Sequence, residues 1–90
     1  MNESVWRRRE DVLWRRSLDA VILMPAGADD PVTLPGTGAS VWDLLEEPAT
    51  VAELVGVLSE AYDAGDRQVV EHDVRRLLLD LEALGAVAHD

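Results

Sequence analysis

The chain has 90 residues, of which 48% are hydrophobic, and it contains no cysteine. This length allows one domain with one small core, and the lack of cysteine excludes disulfides, thiolate metal sites and cysteine nucleophiles. The formal net charge of −10 at pH 7 disfavours nonspecific nucleic-acid binding, which depends on basic residues that displace counterions from phosphates.

The charge is unevenly distributed along the chain. Residues 1–20 carry five arginines and four acidic residues, whereas residues 21–90 carry three arginines and fourteen acidic residues. An acidic body favours neutral or basic partners. No apolar run is long enough to cross a bilayer, and no secretion signal follows the N-terminal arginines. We therefore expect a cytoplasmic protein without membrane association.

The first half of the chain predicts strands. Residues 1–11 are predicted to form a flexible arm, because they show neither helical nor strand periodicity over a sufficient length. Three strands are predicted next, at Val12–Leu18, Ala20–Pro25 and Pro31–Leu34. The second is continuously apolar, which is typical of a central strand covered on both faces. A tight hairpin at Leu18–Ala20 joins the first two strands, so the three form a meander.

The second half predicts three helices. Thr37 is a candidate N-cap of the first helix, and Pro48 stops it. Thr50 and Glu53 match a T-x-x-E capping box at the start of the second helix. That helix carries an apolar stripe and is followed by Gly65, which suits a left-handed position. The stripe consists of Val51, Leu54, Val55, Leu58 and Tyr62.

The third helix is predicted to begin at the cap Asp66 and to close at Gly85, before a short tail. Its predicted core stripe consists of Val70, Val74, Leu77, Leu81 and Leu84. The fold class is therefore α+β, resembling a winged helix-turn-helix, with a three-stranded antiparallel sheet followed by three helices (βββααα). Residues 12–88 form the predicted domain.

Catalytic chemistry is not indicated. Glu71, His72 and Asp73 do not converge on a metal ion, because adjacent helical residues point about 100° apart. The Gly36–Gly38 segment is too short to cradle a phosphate. The serines have no plausible histidine or aspartate partners. We expect no enzyme activity, no cofactor and no metal.

The tryptophans and arginines have mainly structural interpretations. Trp42 is expected in the core and Trp14 in the core or at its margin, whereas Trp6 either packs on the sheet or stays free. Arg7–Arg9, with Arg15 and Arg16, form a basic patch. The patch is either solvated or contacts an acidic partner surface.

A binding role is better supported. The third strand is an edge strand with unpaired backbone groups, and the third helix is expected beside it. One flank of that helix mixes apolar and charged residues: Val69, Asp73, Arg76 and Asp80. An edge strand facing such a flank suits an extended peptide. The alternative interpretation is an ordinary exposed helix flank.

Three sequence segments resemble a known family. They read L-x-G-T-x-x-x-V-W-x-L-L from Leu34, T-V-x-E-L-V from Thr50, and D-V-x-x-L-L-x-x-L-x-x-x-G from Asp73. In this order they resemble the PqqD-like family, also called RiPP recognition elements, over about residues 12–87. The chain lacks the LD-x-x-x-G-x-Y-x-x-L-N pattern of many lasso-type members, which leaves the pathway open.

The resemblance implies a non-catalytic adaptor for the leader segment of a ribosomally synthesised precursor peptide. The leader would add as an antiparallel strand to the third strand, in the cleft against the third helix. The adaptor would deliver it to a leader peptidase or a radical SAM maturase. The implied binding positions are Val32, Thr33, Leu34, Val69, Asp73, Val74, Arg76, Leu77 and Asp80.

Two other functions stay open. One is a winged-helix DNA-binding regulator that reads bases with Arg75 and Arg76. The acidic residues of the same helix leave it net negative, so we expect no nucleic-acid partner. The other is a scaffold or dimerisation module that pairs with itself through its strand edge.

Overall fold

The structure, a computed structural model, describes residues 4–62 and 66–90. The elements within these ranges are β1 (Val5–Arg8), β2 (Leu13–Ser17), β3 (Ala20–Met24), β4 (Val32–Leu34), α1 (Thr37–Leu44), β5 (Ala49–Thr50), α2 (Val51–Tyr62), α3 (Arg67–Ala83) and β6 (Val87–His89). They confirm an α+β fold with antiparallel strands and three helices. The order βββααα is wrong, because β1, β5 and β6 form a second sheet. The winged helix-turn-helix assignment stays a prediction.

The predicted meander forms the sheet ordered β2-β3-β4. Ser17 pairs with Ala20, so the two residues between them make the predicted tight hairpin. In the central strand β3, Val21 and Leu23 are fully buried, whereas the residues that alternate with them are partly exposed. Coverage on both faces was therefore a wrong prediction. The buried residues of this sheet all lie on one side of it.

The hairpin turn places Leu18 at a φ of 58°, where a side chain is strained. We expect Leu18→Gly to raise the free energy of unfolding by about 0.5–1 kcal/mol. Relief of the left-handed strain exceeds the entropy that glycine loses on folding. Urea denaturation followed by circular dichroism measures the change. Leu18→Ala is the control, and an equal gain in that variant would assign the effect to the 93% exposed side chain rather than to the backbone.

The N-terminal residues form the middle strand of the second sheet, ordered β5-β1-β6. Trp6 is 7% exposed, and its ring stacks on that of His89 with the centroids 4.2 Å apart. The prediction of a flexible arm is therefore wrong for residues 5–8, and the predicted C-terminal tail is strand β6. Strands β1 and β6 are too short to show periodicity, and they pair with each other although they lie at opposite ends of the sequence.

Arg8 joins β1 to the other sheet and to α1. Its guanidinium donates two hydrogen bonds to the carbonyl oxygen of Trp42, 3.0 Å from Nε and 2.6 Å from Nη2. The group also lies 4.8 Å from the ring centroid of Trp14 and 4.7 Å from that of Trp42, within cation–π range. Burial lowers the pKa of Arg8 from its ordinary value. Arg8 is thus a structural contact.

Three more N-terminal arginines pair with carboxylates of the chain itself. The pairs are Arg7 with Asp90 at 2.8 Å, Arg9 with Asp11 at 3.1 Å, and Arg16 with Asp43. The predicted basic patch is therefore largely neutralised within the chain. Arg8 is held by the Trp42 carbonyl instead, so among the five arginines of residues 1–20 only Arg15 has neither a carboxylate partner nor a side-chain hydrogen bond in the described ranges.

Local signals set the helix starts. The amide of Glu53 donates to Thr50 Oγ1 at 3.2 Å, and the amide of Thr50 donates to Glu53 Oε1 at 2.9 Å, which confirms the capping box. Asp66 caps α3 by accepting a backbone hydrogen bond of 2.9 Å, also as predicted. Gly36 precedes α1 at a φ of 55° without a side-chain cap. The predicted cap at Thr37 is therefore wrong, since that residue is already helical.

The predicted end of α3 at Gly85 is confirmed, with a φ of 81°. Its amide donates to the carbonyl of Glu82 at 3.0 Å, and that of Ala86 donates to the carbonyl of Leu81 at 2.9 Å. These two bonds define a Schellman motif. The carbonyl of Ala86 then accepts a hydrogen bond of 2.9 Å from the amide of Arg9. The turn therefore leads directly into β6, which pairs with β1.

Buried residues from both sheets and all three helices form one core cluster. Trp42 is fully buried, and Trp14 lies at the margin with an edge-to-face contact of 5.9 Å to it. Both positions agree with the prediction. The α2 stripe is buried at Val51, Leu54, Val55 and Leu58. The predictions for the side chain of Tyr62 and for Gly65 lie outside the described part.

The core face of α3 differs from the prediction. Val74 and Leu81 are buried as expected, but the residue between them in the core is Leu78. Leu77 is only half-buried and Leu84 is exposed. Three successive leucines at 77–79 are compatible with more than one helical stripe, so the pattern did not define the rotation of the helix about its axis.

Candidate functional site

Strand β4 has one edge without a strand partner in the described part of the chain. It pairs with β3 alone, so backbone N–H and C=O groups along its other edge are available for pairing. Along the strand, Val32 is half-buried, Thr33 is exposed and Leu34 is buried. The implied site residues of this strand therefore lie on an edge without a strand partner in the described part of the chain, and the side chain of Leu34 is buried.

The N-terminal turn of α1 brings β4 and α3 together. A methyl group on Gly38 would lie 3.4 Å from Cβ of Leu34 and 3.9 Å from Cδ1 of Leu77. Leu77 of α3 therefore lies near Leu34, the last residue of β4, with Gly38 between them. Sequence reasoning missed Gly38, although a glycine inside a predicted helix costs about 1 kcal/mol relative to alanine and was a signal for close packing.

The flank of α3 next to β4 is acidic. Asp73 and Asp80 lie four residues before and three residues after Leu77, so all three share one helical stripe. Both carboxylates are exposed, and neither pairs with another described residue. On the opposite flank, Arg75 pairs with Glu71 at 3.1 Å. The side near β4 thus offers unpaired negative charge.

The other implied positions separate into exposed and buried ones. Val69 is 55% exposed one turn before Asp73, and Arg76 is exposed beside the acidic stripe. Val74 is completely buried in the core and cannot reach a peptide on the surface. Its place among the binding residues was therefore wrong. The core stripe and the surface stripe of α3 are adjacent, so the sequence of the helix alone does not show which residue belongs to which stripe.

Metal and membrane chemistry find little support in the described residues. No group of histidine and carboxylate side chains within them is arranged to hold a metal ion. None of the described helices is long and apolar enough to cross a membrane. Beside Leu77 of α3, the edge of β4 has backbone groups without a strand partner in the described part of the chain, and α3 presents exposed carboxylates next to it.

Comparisons with known proteins place the chain in a family. No curated protein sequence matches the chain. The solved structure of TbiB1 in complex with the TbiA(beta) leader peptide is similar, with a TM-score of 0.82 and 27% identity over 90% of this chain and 93% of that chain. The family described as coenzyme PQQ synthesis protein D (PqqD) matches residues 20–87. Because that match spans well over half of the sequence, this chain belongs to the PqqD family.

Proposed function

We propose that this chain is a non-catalytic adaptor that binds the leader segment of a ribosomally synthesised precursor peptide. The leader adds as an antiparallel strand to the free edge of β4 and lies against α3. The observation that carries the proposal is the edge of β4, which has no strand partner among residues 4–62 and 66–90, beside exposed carboxylates of α3 that are unpaired within the same ranges. The similarity to TbiB1, whose structure contains a leader peptide, supports it.

The separate roles of backbone and side chains in this groove follow from strand geometry. Backbone hydrogen bonds to β4 hold the peptide, while alternate side chains face α3 and provide specificity. Val69 and Leu77 offer apolar contacts, and Asp73 and Asp80 pair with basic side chains of the leader. A disordered leader orders on docking, and the tether raises the local concentration of its downstream segment at a modifying enzyme. That enzyme is a leader peptidase or a radical SAM maturase.

A direct titration tests this function. A labelled leader, taken from a short reading frame beside this chain's gene, is followed by fluorescence anisotropy. A scrambled leader and duplex DNA serve as controls. Saturable binding of the leader alone is the expected result. Binding of duplex DNA in its place would favour the regulator, although Arg75, one of its two base readers, is held by Glu71.

Charge reversal at Asp80 tests the acidic stripe. We expect Asp80→Arg to weaken binding of a basic leader by about two- to tenfold, because a partly exposed pair contributes about 0.2–1 kcal/mol and reversal adds repulsion. The exposed position leaves the fold intact. Anisotropy titrations at low and high salt measure the effect, which salt should reduce.

Glu60→Arg is the matched control for this variant. It makes the same change in net charge at an exposed position on α2. An equal loss of affinity in both variants would assign the effect to overall charge rather than to the stripe. Unchanged affinity in Asp80→Arg would remove Asp80 from the site.

A further inference from the structure

The β2-β3-β4 sheet has a second, uncovered face. Cross-strand pairing places Leu13 opposite Met24 and Arg15 opposite Ile22, on the side away from the buried residues. Leu13 is 73% exposed, and every residue of β2 is exposed. Together with Pro31, these side chains border an open cavity of about 330 Å³. We call this surface of five residues the outer patch.

The charge of the outer patch indicates what covers it. Arg15 lies among apolar side chains and pairs with no carboxylate in the described ranges, in a chain whose net charge is −10. The other arginines of the N-terminal segment are occupied by partners within the chain. A complementary surface must therefore be apolar and carry a carboxylate that meets this guanidinium.

The position of the outer patch relative to the bound peptide indicates which partner it contacts. A strand antiparallel to β4 runs from Leu34 toward Val32, so the downstream part of the peptide leaves the sheet at the Pro31 end. Val32 pairs with Leu23, one residue from Met24, so the outer patch lies at that same end of the sheet. The segment to be processed thus emerges beside this surface.

We infer that the outer patch is the docking surface for the enzyme that processes the bound peptide, through an apolar surface of that enzyme that presents a carboxylate to Arg15. This inference rests on the proposed function, because the strand direction defines where the downstream segment emerges. The edge of β4 holds the leader, and the outer patch places the enzyme at the Pro31 end of the sheet, where the downstream segment of the peptide emerges. The two sites share one sheet and use different surfaces of it.

Two substitutions test the outer patch without touching the groove. In Leu13→Asp a carboxylate replaces an exposed apolar contact, and Arg15→Glu reverses the unpaired charge. Leu18→Asp is the matched control, because Leu18 is also an exposed leucine, at the far end of the same hairpin. Biolayer interferometry measures binding of each full-length variant, with saturating leader, to the purified enzyme encoded beside the precursor. We expect at least tenfold weaker binding for the first two variants and no change for the control.

Each outcome decides between the inference and its alternatives. Equal enzyme affinity in all three variants, or no enzyme binding by the wild-type chain, would overturn the inference. Leader titration of the same variants separates this failure from failure of the proposed function, because leader affinity should stay unchanged in all of them. Light scattering is the third measurement. A wild-type dimer that Leu13→Asp converts to a monomer would make the outer patch a self-association surface and contradict the inference.

Discussion

Replacing Trp6 with alanine is expected to lower the free energy of unfolding by about 3 kcal/mol, the lower end of the range for a buried tryptophan. Trp6 is 7% exposed, belongs to the core and stacks on His89 in the neighbouring strand. Its loss leaves a cavity in the core beside β1. A domain of this size has a total stability of roughly 5–15 kcal/mol, so the effect is a large fraction of it.

Trp14→Ala is the control for this prediction. Trp14 is 44% exposed at the core margin, so its removal should cost about 1 kcal/mol, close to the typical value for a point mutant. Urea denaturation followed by far-ultraviolet circular dichroism compares both variants without relying on tryptophan fluorescence. If Trp6→Ala costs no more than Trp14→Ala, β1 is not part of the folded domain and residues 1–11 behave as a flexible arm.

Val69→Asp is expected to weaken leader binding at least tenfold, equivalent to about 1.4 kcal/mol or more. The substitution puts an unpaired carboxylate where the proposed groove contacts apolar leader side chains, and burial of such a charge is costly. The free protein should fold normally, because Val69 is 55% exposed. Anisotropy titration of the labelled leader measures the loss, with circular dichroism as a check on folding.

Leu79→Asp is the matched control on the same helix. Leu79 is 57% exposed, and it lies two residues from Leu77, so it points to the opposite flank of α3. The two substitutions add the same charge at similar exposure. Equal losses of affinity would assign the effect to the charge of the helix as a whole, and no loss in Val69→Asp would place the leader elsewhere.

The features that were predictable from the sequence depend on contacts between near neighbours. The capping box at Thr50 and Glu53, the cap at Asp66 and the hairpin at Leu18 each involve residues within a few positions of one another. The glycine turn at Gly85 is equally local. Such signals define where elements begin and end, and together with the family resemblance they placed the candidate groove on β4 and α3.

The features that required the tertiary structure depend on pairing between distant segments. Strands β1 and β6 have three or four residues each and gain stability from pairing with one another, from β5 on the other side of β1 and from the core, so neither has a sequence signature of its own. The run of leucines at 77–79 allowed several rotations of α3. Packing selected the one that buries Leu78 and leaves Leu77 beside Leu34 and Gly38.

The same distinction separates the two surfaces of the β2-β3-β4 sheet. An apolar run such as that of β3 indicates a strand but not how many of its faces are covered, because coverage depends on where the helices return. The residue pattern alone therefore predicted the three strands of this sheet and the edge position of β4. Only the tertiary arrangement decided that one face is buried, that Arg15 has no carboxylate partner among the described residues, and that the outer patch faces away from the core.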